Sequence, residues 1–281
     1  MTRNGRAALA AETLSIIERG NYLAPSGVTV SIESELTKCH AGTVLYAPDA
    51  LAALQRSIDP LGARSEGVRI EVTGETTSAA LRRLVQDESC RHVMGLNFAS
   101  AKNPGGGFLG GAKAQEEDLA RGSSLYASLI TKPAYYEQNR SQNSLLYTDH
   151  AIYSPGVVFF RGDEDALLER PFVASVLTMP APNAGEHRKR YADDEAAITE
   201  TMARRIAQVF AVARHHGDRT LVLGAWGCGV FRNEPNRVAE CFAQALAHHE
   251  VTGAIARVVF AVYDRAGGPN RAAFDRRFAG A

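Results

Sequence analysis

Residues 93–117 read VMGLNFASAKNPGGGFLGGAKAQEE and join an apolar run, a glycine-rich loop and an acidic pair. The run Val93–Ala99 predicts a buried strand that leads into the loop Asn103–Phe108. Backbone without Cβ atoms can approach a phosphate closely and aim its amides at it. The stretch therefore predicts a strand-end turn that binds a phosphate, with carboxylates beside it.

A second glycine-rich loop, Gly224–Phe231, follows the continuous apolar run Thr220–Leu223. Such a run suits a strand that is buried on both faces of a sheet. Strand, loop, helix and strand form a right-handed crossover unit, so both loops are expected at the carboxyl ends of their strands. Ligands bind at that edge of α/β sheets. We predict that the two loops form a diphosphate clamp.

The rest of the chain also contains predicted helices and strands, so the sequence predicts an α/β fold. Apolar spacing predicts helices at Ala7–Arg19, Ala47–Arg56, Ser78–Gln86, Glu117–Ile130, Tyr135–Asn139, Asp194–His215 and Val238–Ala247. Residue type predicts further strands at Arg69–Thr73, Ala151–Phe160, Phe172–Thr178 and Arg257–Tyr263. Thr77 and Asn233 are predicted helix caps. We expect one domain over residues 1–281, with residues 1–66 as a helical layer packed on it.

The composition fits a globular protein with a sizeable core, because 45% of the 281 residues are hydrophobic and 22% are charged. Lysine and arginine number 31, as do aspartate and glutamate, so no overall positive field attracts a nucleic-acid backbone. No apolar run approaches the roughly 20 residues that span a bilayer, and Met1–Leu14 lacks a signal-peptide core. We expect a cytoplasmic protein that binds neither nucleic acid directly nor a membrane.

Cysteine and histidine spacing gives no sign of a metal site. Cys39, Cys90, Cys228 and Cys241 lack paired zinc spacing, and the eight histidines form no metal-binding array. Disulfides are not expected in the cytosol. Cys228 lies between two glycines with no histidine nearby in sequence, so small size explains it better than a nucleophilic role. We predict no metal and no cofactor.

The first loop allows two other interpretations. Gly105-x-Gly107-x-x-Gly110 matches the dinucleotide fingerprint, which requires a tight strand-to-helix turn and an acidic residue about 20 residues further on. At that distance the chain is still within the predicted helix Glu117–Ile130, so the match is poor. A plain flexible loop explains the glycines but not the flanking Asn103-Pro104 and the acidic pair.

Taken alone, Gln115-Glu116-Glu117 fits a solvated first helical turn, since acidic residues favour helix N-termini. Adjacent helical residues point about 100° apart, so Glu116 and Glu117 cannot both aim at one atom as opposed glycosidase carboxylates do. One carboxylate can therefore perform chemistry while the other holds the ligand.

The three glycines, seven further residues and Gln-Glu-Glu together resemble the signature of the poly(ADP-ribose) glycohydrolases. Other stretches resemble the bacterial branch of that family, whose catalytic part is a macrodomain. They are Leu96–Pro104, Tyr147–Asp149, Ala181–Asn183, Gly224–Asn233 and Phe260–Asp264. The resemblance covers nearly the whole chain. It implies a macrodomain-like mixed sheet flanked by helices, with an N-terminal helical extension.

The resemblance also implies a role for each part of the site. Glu117 is expected to be the catalytic acid and base, and Glu116 to hydrogen-bond ribose hydroxyls. The implied substrate-binding residues are Asn103, Gly105, Gly106, Gly107, Phe108, Gln115, Gly224, Ala225, Trp226, Gly227, Cys228, Gly229, Val230 and Phe231. Phe231 is expected to pack against the ligand, whereas Trp226 fits the core as well as the site.

The implied reaction is hydrolysis of the ribose–ribose O-glycosidic bonds of poly(ADP-ribose), which releases ADP-ribose. A partly desolvated Glu117 would be protonated near neutrality and could donate to the departing oxygen, while the substrate's diphosphate stabilises the cationic sugar. Poly(ADP-ribose) or ADP-ribosylated proteins are the expected substrates, and a role in the DNA damage response is expected with them. An ADP-ribose-binding reader and a mono-ADP-ribosyl hydrolase stay open as alternatives.

Overall fold

The computed structural model describes residues 1–57, 67–162, 165–192, 194–248, 253–264 and 267–279. A seven-stranded sheet lies at its centre, and a separate two-stranded hairpin lies near the start of the chain. The strands of the hairpin are β1 (Asn21–Leu23) and β2 (Thr29–Ser31). The strands of the main sheet are β3 (Val44–Tyr46), β4 (Arg69–Thr73), β5 (Val93–Phe98), β6 (Ala151–Arg161), β7 (Leu167–Met179), β8 (Thr220–Leu223) and β9 (Arg257–Ala261).

The main sheet is mixed. Its strands lie in the order β3-β6-β7-β5-β8-β9-β4. Strands β7, β5, β8, β9 and β4 run parallel, while β6 pairs antiparallel with both β7 and β3. The carboxyl ends of the parallel strands therefore meet at one edge. The predicted α/β architecture, a mixed sheet flanked by helices, is confirmed.

Helices cover both faces of this sheet. In chain order they are α1 (Arg3–Arg19), α2 (Glu33–Gly42), α3 (Pro48–Arg56), α4 (Thr77–Arg82), α5 (Gln115–Gly122), α6 (Leu125–Leu129), α7 (Pro133–Ser141), α8 (Ala184–Arg190), α9 (Glu195–His216), α10 (Pro235–Ala247) and α11 (Pro269–Phe278). One core cluster joins a sheet face to α3, α9, α10 and α11, and a second joins the other face to α4, α5, α6 and α7. None of the described helices has the length and apolarity needed to cross a membrane.

Strand β8 shows how the sequence produces this arrangement. Leu221 and Leu223 belong to the cluster that contains Phe210 of α9, whereas Val222 belongs to the cluster that contains Leu119 of α5. All four residues of the strand are buried. The prediction that Thr220–Leu223 is buried on both faces is confirmed, because successive side chains of a strand point to opposite faces.

The N-terminal layer is only partly the helical layer that we predicted. Helices α1 and α3 match the predicted helices, but the segment between them also forms the β1–β2 hairpin, α2 and β3. Strand β3 pairs with β6 and so extends the main sheet. Strands β1, β2 and β3 have three residues each, which is too short to show a period of two. Residues 58–66 of the predicted layer lie outside the described ranges.

The predicted helix Glu117–Ile130 is wrong in one respect, since two helices replace it. Helix α5 ends at Gly122 and α6 begins at Leu125. Ser123 between them is extended and forms a bridge with Phe159, and the Ser124 amide donates a hydrogen bond to the carbonyl of Val158. The adjacent β6 thus takes this backbone out of the helix.

Both predicted helix caps are displaced by one residue. The hydroxyl of Thr76, not Thr77, accepts the Ala79 amide at the start of α4, at 3.1 Å. The carboxylate of Glu234, not Asn233, accepts the amides at the start of α10. The Asn233 side chain donates instead to the carbonyls of Pro182 and Gly227. The Asn233 side chain therefore contacts two loops at the carboxyl edge of the sheet.

Candidate functional site

The two glycine-rich loops leave the sheet side by side, as predicted. The first follows β5 and the second follows β8, and these strands pair from Val93–Gly95 to Thr220–Val222. We call residues 103–108 the triple-glycine loop and residues 224–231 the second glycine loop. Because both follow parallel strands, both lie at the carboxyl edge, where the crevice of an α/β sheet opens.

A cleft of about 390 Å³ opens between the second glycine loop and the first turns of α4 and α5. Six of the predicted site residues line it. They are Gln115, Ala225, Gly227, Gly229, Val230 and Phe231. Thr77, Phe98 and Tyr263 also line the cleft and were missed, since each belongs to a different segment of the chain.

The triple-glycine loop lies directly on the two glutamates. Gly105 and Gly106 have φ of +65° and +59°, a region that glycine adopts at low cost. A Cβ on Gly106 would lie 2.3 Å from Oε1 of Glu117 and 3.1 Å from Oε2 of Glu116. The Gly107 amide donates a hydrogen bond of 2.9 Å to Oε1 of Glu117. Gly106 is therefore required both by its backbone conformation and by the space beside the carboxylates.

Glu116 is the buried member of the pair, with only 3% of its surface exposed. The Ser100 amide donates to its Oε2 at 2.6 Å, and Nδ2 of Asn97 donates to its Oε1 at 3.3 Å. Burial, helped by the nearby charge of Glu117, raises the pKa of Glu116 to about 8 despite these hydrogen bonds. Glu116 is therefore largely protonated at neutral pH.

Glu117 is half-buried and faces the backbone of the triple-glycine loop. Glu117 is thus only partly desolvated, as predicted, and the strongly desolvated carboxyl of the pair is Glu116. The first turn of α5 directs residue 116 toward the end of β5 and residue 117 toward the loop. The two carboxylates have different hydrogen-bond partners, although one oxygen of each lies beside Gly106.

Gln115 supports the end of β5. Its amide nitrogen donates to the carbonyl of Leu96 at 2.7 Å and to the hydroxyl of Thr77 at 3.1 Å. Its Oε1 accepts the Phe98 amide at 2.8 Å. Strand β8 pairs with β5 only as far as Gly95, so Gln115 supplies partners for backbone groups beyond that point. Substrate binding by Gln115 stays a prediction.

The second glycine loop is tightly packed beneath and open at its tip. A Cβ on Gly227, whose φ is +72°, would lie 2.4 Å from Nδ2 of Asn233, and one on Gly224 would lie 2.6 Å from the carbonyl oxygen of Ala261. Val230 at the tip is 84% exposed. The half-buried Phe231 ring lies 5.8 Å from the ring of Tyr147. The loop thus presents Val230 and Phe231 to the cleft.

The side chains of Phe108, Trp226 and Cys228, which were predicted to bind substrate, do not line the cleft. Phe108 is fully buried in a cluster with Ala10 and Ala120, so its predicted contact with substrate is wrong for the side chain. Trp226 is fully buried in the main core cluster, which resolves its open assignment in favour of the core. Burial raises the pKa of the Cys228 thiol to about 12, which opposes a nucleophilic role.

Asn103 has an exposed side chain, and its backbone closes the triple-glycine loop. Its amide donates to the hydroxyl of Ser100 at 3.1 Å, and its carbonyl accepts the Gly106 amide at 3.0 Å. These bonds leave the Asn103 side chain at the surface of the loop. Ligand binding by Asn103 stays a prediction.

Sequence reasoning missed Arg205, which organises the wall behind Phe231. The buried guanidinium donates to the carboxylate of Asp149 and to the carbonyls of Tyr147 and Pro180. Tyr147 has a φ of +62°, which is uncommon for a side chain of this size. A buried arginine inside an amphipathic helix gives no local signal that would have identified it.

In the described part of the chain, no group of three or more His, Cys, Asp and Glu side chains is placed to hold a metal ion. The four cysteines are free thiols. The expected lack of a metal stays a prediction.

Comparison with known proteins identifies relatives of this chain. A family model described as microbial-type PARG, catalytic domain, matches residues 10–162. No curated protein matches the chain. Solved structures do match, and they include structures of poly(ADP-ribose) glycohydrolase (PARG) from two bacteria.

The crystal structure of PARG from Thermomonospora curvata is 50% identical in sequence and has a TM-score of 0.92, over 98% of this chain and 100% of that one. The complex of the T. curvata enzyme with the inhibitor ADP-HPD has the same identity and coverage and a TM-score of 0.89. PARG from Deinococcus radiodurans in complex with ADP-ribose is 45% identical, with a TM-score of 0.80, over 86% of this chain and 96% of that one.

Proposed function

Since the chain belongs to the microbial-type PARG family, we propose that it hydrolyses the ribose–ribose bonds of poly(ADP-ribose) and releases ADP-ribose. The observation that carries this proposal is the hydrogen bond from the triple-glycine loop to Glu117. Gln115 and Asp118, which flank the acidic pair on α5, line the open cleft. The solved complexes of the relatives with ADP-HPD and with ADP-ribose support the class of ligand.

Glu117 is the general acid and base in this proposal. Cleavage of the glycosidic bond requires a proton for the departing oxygen and stabilisation of an oxocarbenium-like carbon. In this proposal Glu117 donates that proton to the departing oxygen. The resulting carboxylate then takes a proton from the attacking water, and that water oxygen bonds to the anomeric carbon.

Glu116 holds the substrate in this proposal. Its carboxyl is largely protonated at neutral pH and can therefore both donate a hydrogen bond and accept one. Ribose hydroxyls can meet both requirements. A neutral Glu116 also removes one negative charge from the path of an anionic substrate.

The two glycine loops bind the diphosphate. Gly105–Gly107 and Asn103 lie on the side of the distal ribose, and the second glycine loop lies on the other side, with Phe231 against the ligand. Glycine backbone can approach phosphate oxygens closely, and its amides donate to them. The bound diphosphate then stabilises the positive charge that develops on the sugar.

The charges of the site fit recognition of a single unit of the polymer. The cleft lining includes one cationic side chain, Lys113, and one anionic side chain, Asp118, and the whole chain has a formal net charge of zero. We propose that the protein grips one ADP-ribose unit of a polymer or of an ADP-ribosylated protein and does not coat a polyanion. Direct nucleic-acid or membrane partners are not part of the proposal.

We further propose that residues 1–281 act as one catalytic domain, because α1 contacts the segment that follows the triple-glycine loop. A cytoplasmic location is supported by the four free cysteines, which suit a reducing compartment. A role in the DNA damage response stays a prediction of the family resemblance.

The test measures turnover of two substrates and binding of ADP-ribose. The purified protein is incubated with poly(ADP-ribose) and with a protein that carries one ADP-ribosyl group, and its affinity for ADP-ribose is measured by calorimetry. We expect release of ADP-ribose from the polymer, at a rate that a metal chelator leaves unchanged. Binding without release would identify a reader, and release only from the singly modified protein would identify a mono-ADP-ribosyl hydrolase.

A further inference from the structure

Three arginine side chains hold three successive carbonyl groups just after the triple-glycine loop. Nε of Arg3 donates to the carbonyl of Gly110 at 2.9 Å, and Nε of Arg6 donates to that of Gly111 at 2.8 Å. A guanidinium nitrogen of Arg121 donates to the carbonyl of Ala112 at 2.8 Å. We call Arg3, Arg6 and Arg121 the arginine clamp. Its members come from α1 and α5.

The backbone of α1 is in direct contact with this segment. Gly111 has a φ of +71°, and a Cβ there would lie 2.0 Å from the carbonyl oxygen of Arg3. The hydroxyl of Thr13 donates to the carbonyl of Arg121 at 2.6 Å, which ties α1 to α5. Helix α1 is therefore fixed on both elements that carry the site, and the clamp is part of a packed interface.

Two peptide groups of residues 110–112 form hydrogen bonds through both their carbonyl and their amide. In the group that joins Gly110 to Gly111, the carbonyl accepts from Arg3 and the amide donates to the carbonyl of Phe108 at 2.9 Å. In the next group, the carbonyl accepts from Arg6 and the Ala112 amide donates to the carbonyl of Gly107 at 3.1 Å. Bonds from a charged donor are stronger than neutral ones, so the arginines fix the orientation of both peptide planes.

Gly107 links residues 110–112, which the arginine clamp holds, to the side chain of Glu117. Gly107 accepts from the Ala112 amide through its carbonyl and donates through its own amide to Oε1 of Glu117 at 2.9 Å. We infer that Arg3 and Arg6 are positioning residues that set the triple-glycine loop on Glu117. This inference rests on the proposed function, in which Glu117 transfers the proton. Both arginines precede residues 10–162, to which the family model is matched.

The experiment compares the double variant Arg3→Ala/Arg6→Ala with the wild type. Steady-state kinetics on poly(ADP-ribose) should show kcat lowered by about tenfold, because a small displacement of a catalytic group is costly, while KM changes by less than about threefold. Arg6→Lys in the Arg3→Ala background should recover part of the loss, since lysine can still donate to the Gly111 carbonyl. The matched control is Arg19→Ala, which removes an exposed arginine from the last turn of the same helix.

A second measurement does not depend on activity. Hydrogen exchange of the backbone amides of residues 105–112 should be faster in the double variant than in the wild type and unchanged in Arg19→Ala. Wild-type kcat or wild-type exchange in the double variant would overturn the inference. If the double variant does not fold, Arg3→Ala alone carries the same test, because the Arg3 side chain is exposed.

The outcomes also separate this inference from the proposed function. A wild-type protein that releases no ADP-ribose would refute the function, whereas faster exchange in the double variant would still show that the clamp holds the loop. An active wild type with an equally active double variant would refute the positioning role alone.

Discussion

The amide nitrogen of Gly107 lies 2.9 Å from Oε1 of Glu117 and donates a hydrogen bond to it. This bond fixes the carboxyl oxygen relative to the backbone of the loop. It therefore restrains the second glutamate of the acidic pair at the carboxyl edge of the sheet. The triple-glycine loop thus has two functions in our account, which are to approach the diphosphate and to orient the acid.

Replacement of Gly106 should separate these geometric requirements from general stability. Gly106→Ala places a Cβ 2.3 Å from Oε1 of Glu117 and strains a backbone whose φ is +59°. We expect polymer cleavage to fall by at least about a hundredfold, because the carboxylate must move away from its position. The rate of ADP-ribose release is the measurement.

Gly217→Ala is the matched control for Gly106→Ala. Gly217 has a φ of +74° at the end of α9, but a Cβ there meets nothing within 4 Å. Both variants carry the strain of a positive φ, and only one displaces a carboxylate. Equal losses of activity in the two variants would show that backbone strain alone explains the effect and would contradict our account of Gly106.

Removal of the Phe231 ring should weaken binding of ADP-ribose. The half-buried ring lines the cleft, and stacking of a base on an aromatic ring contributes about 1–3 kcal/mol. We expect Phe231→Ala to raise the Kd for ADP-ribose by about tenfold in calorimetry. Tyr191→Ala, which removes an aromatic ring that is 48% exposed and does not line the described cleft, should leave the Kd unchanged. A Kd unaltered by Phe231→Ala would exclude the predicted contact.

The burial of Glu116 predicts a pH dependence of stability. The pKa of Glu116 is raised to about 8 in the folded protein, whereas a glutamate in an unfolded chain has a pKa of about 4.3. Between these values the folded protein keeps a proton that the unfolded chain has released. The stabilising contribution is therefore complete below about pH 4 and is lost as the pH rises to about 8. The corresponding slope is up to about 1.4 kcal/mol per pH unit.

Denaturant unfolding at several pH values tests this dependence. The free energy of unfolding of the wild type should fall more steeply between about pH 5 and pH 8 than that of Glu116→Gln, which cannot titrate at this position. The difference between the two proteins cancels the contributions of other groups. Parallel curves for the two proteins would show that Glu116 is not the buried acid that we describe.

Much of the fold could be predicted from local patterns. Two strands, β8 at Thr220–Leu223 and β5 at Val93–Phe98, could be predicted in this way. Apolar runs that end at glycine-rich loops are typical of strands buried in a sheet. Strands β1, β2 and β3 could not be predicted, because three residues carry no detectable alternation. The break at Ser123 was also hidden, since it depends on pairing with a strand that follows later in the chain.

The candidate site was predictable where it consists of contiguous residues. The triple-glycine loop and Glu117 are in contact, as their short separation in the sequence suggested. Contacts between distant segments could not be predicted, and the bond from Arg3 to Gly110 spans 107 residues. The burial of Phe108 has the same origin, because its ring is covered by a helix from the start of the chain. From the sequence alone, a ring beside a glycine-rich loop suggests a ligand contact, because the position of helix α1 is not known at that point.

The most direct test of the central claim is the polymer-cleavage rate of Glu117→Gln, with Glu137→Gln as a control of the same chemistry at an exposed position on α7. We predict that Glu117→Gln binds ADP-ribose within a few fold of the wild type and cleaves poly(ADP-ribose) at least about a hundredfold more slowly, because the amide cannot transfer the proton. The control should cleave at the wild-type rate. Wild-type cleavage by Glu117→Gln would contradict the assignment of Glu117 as the acid and base.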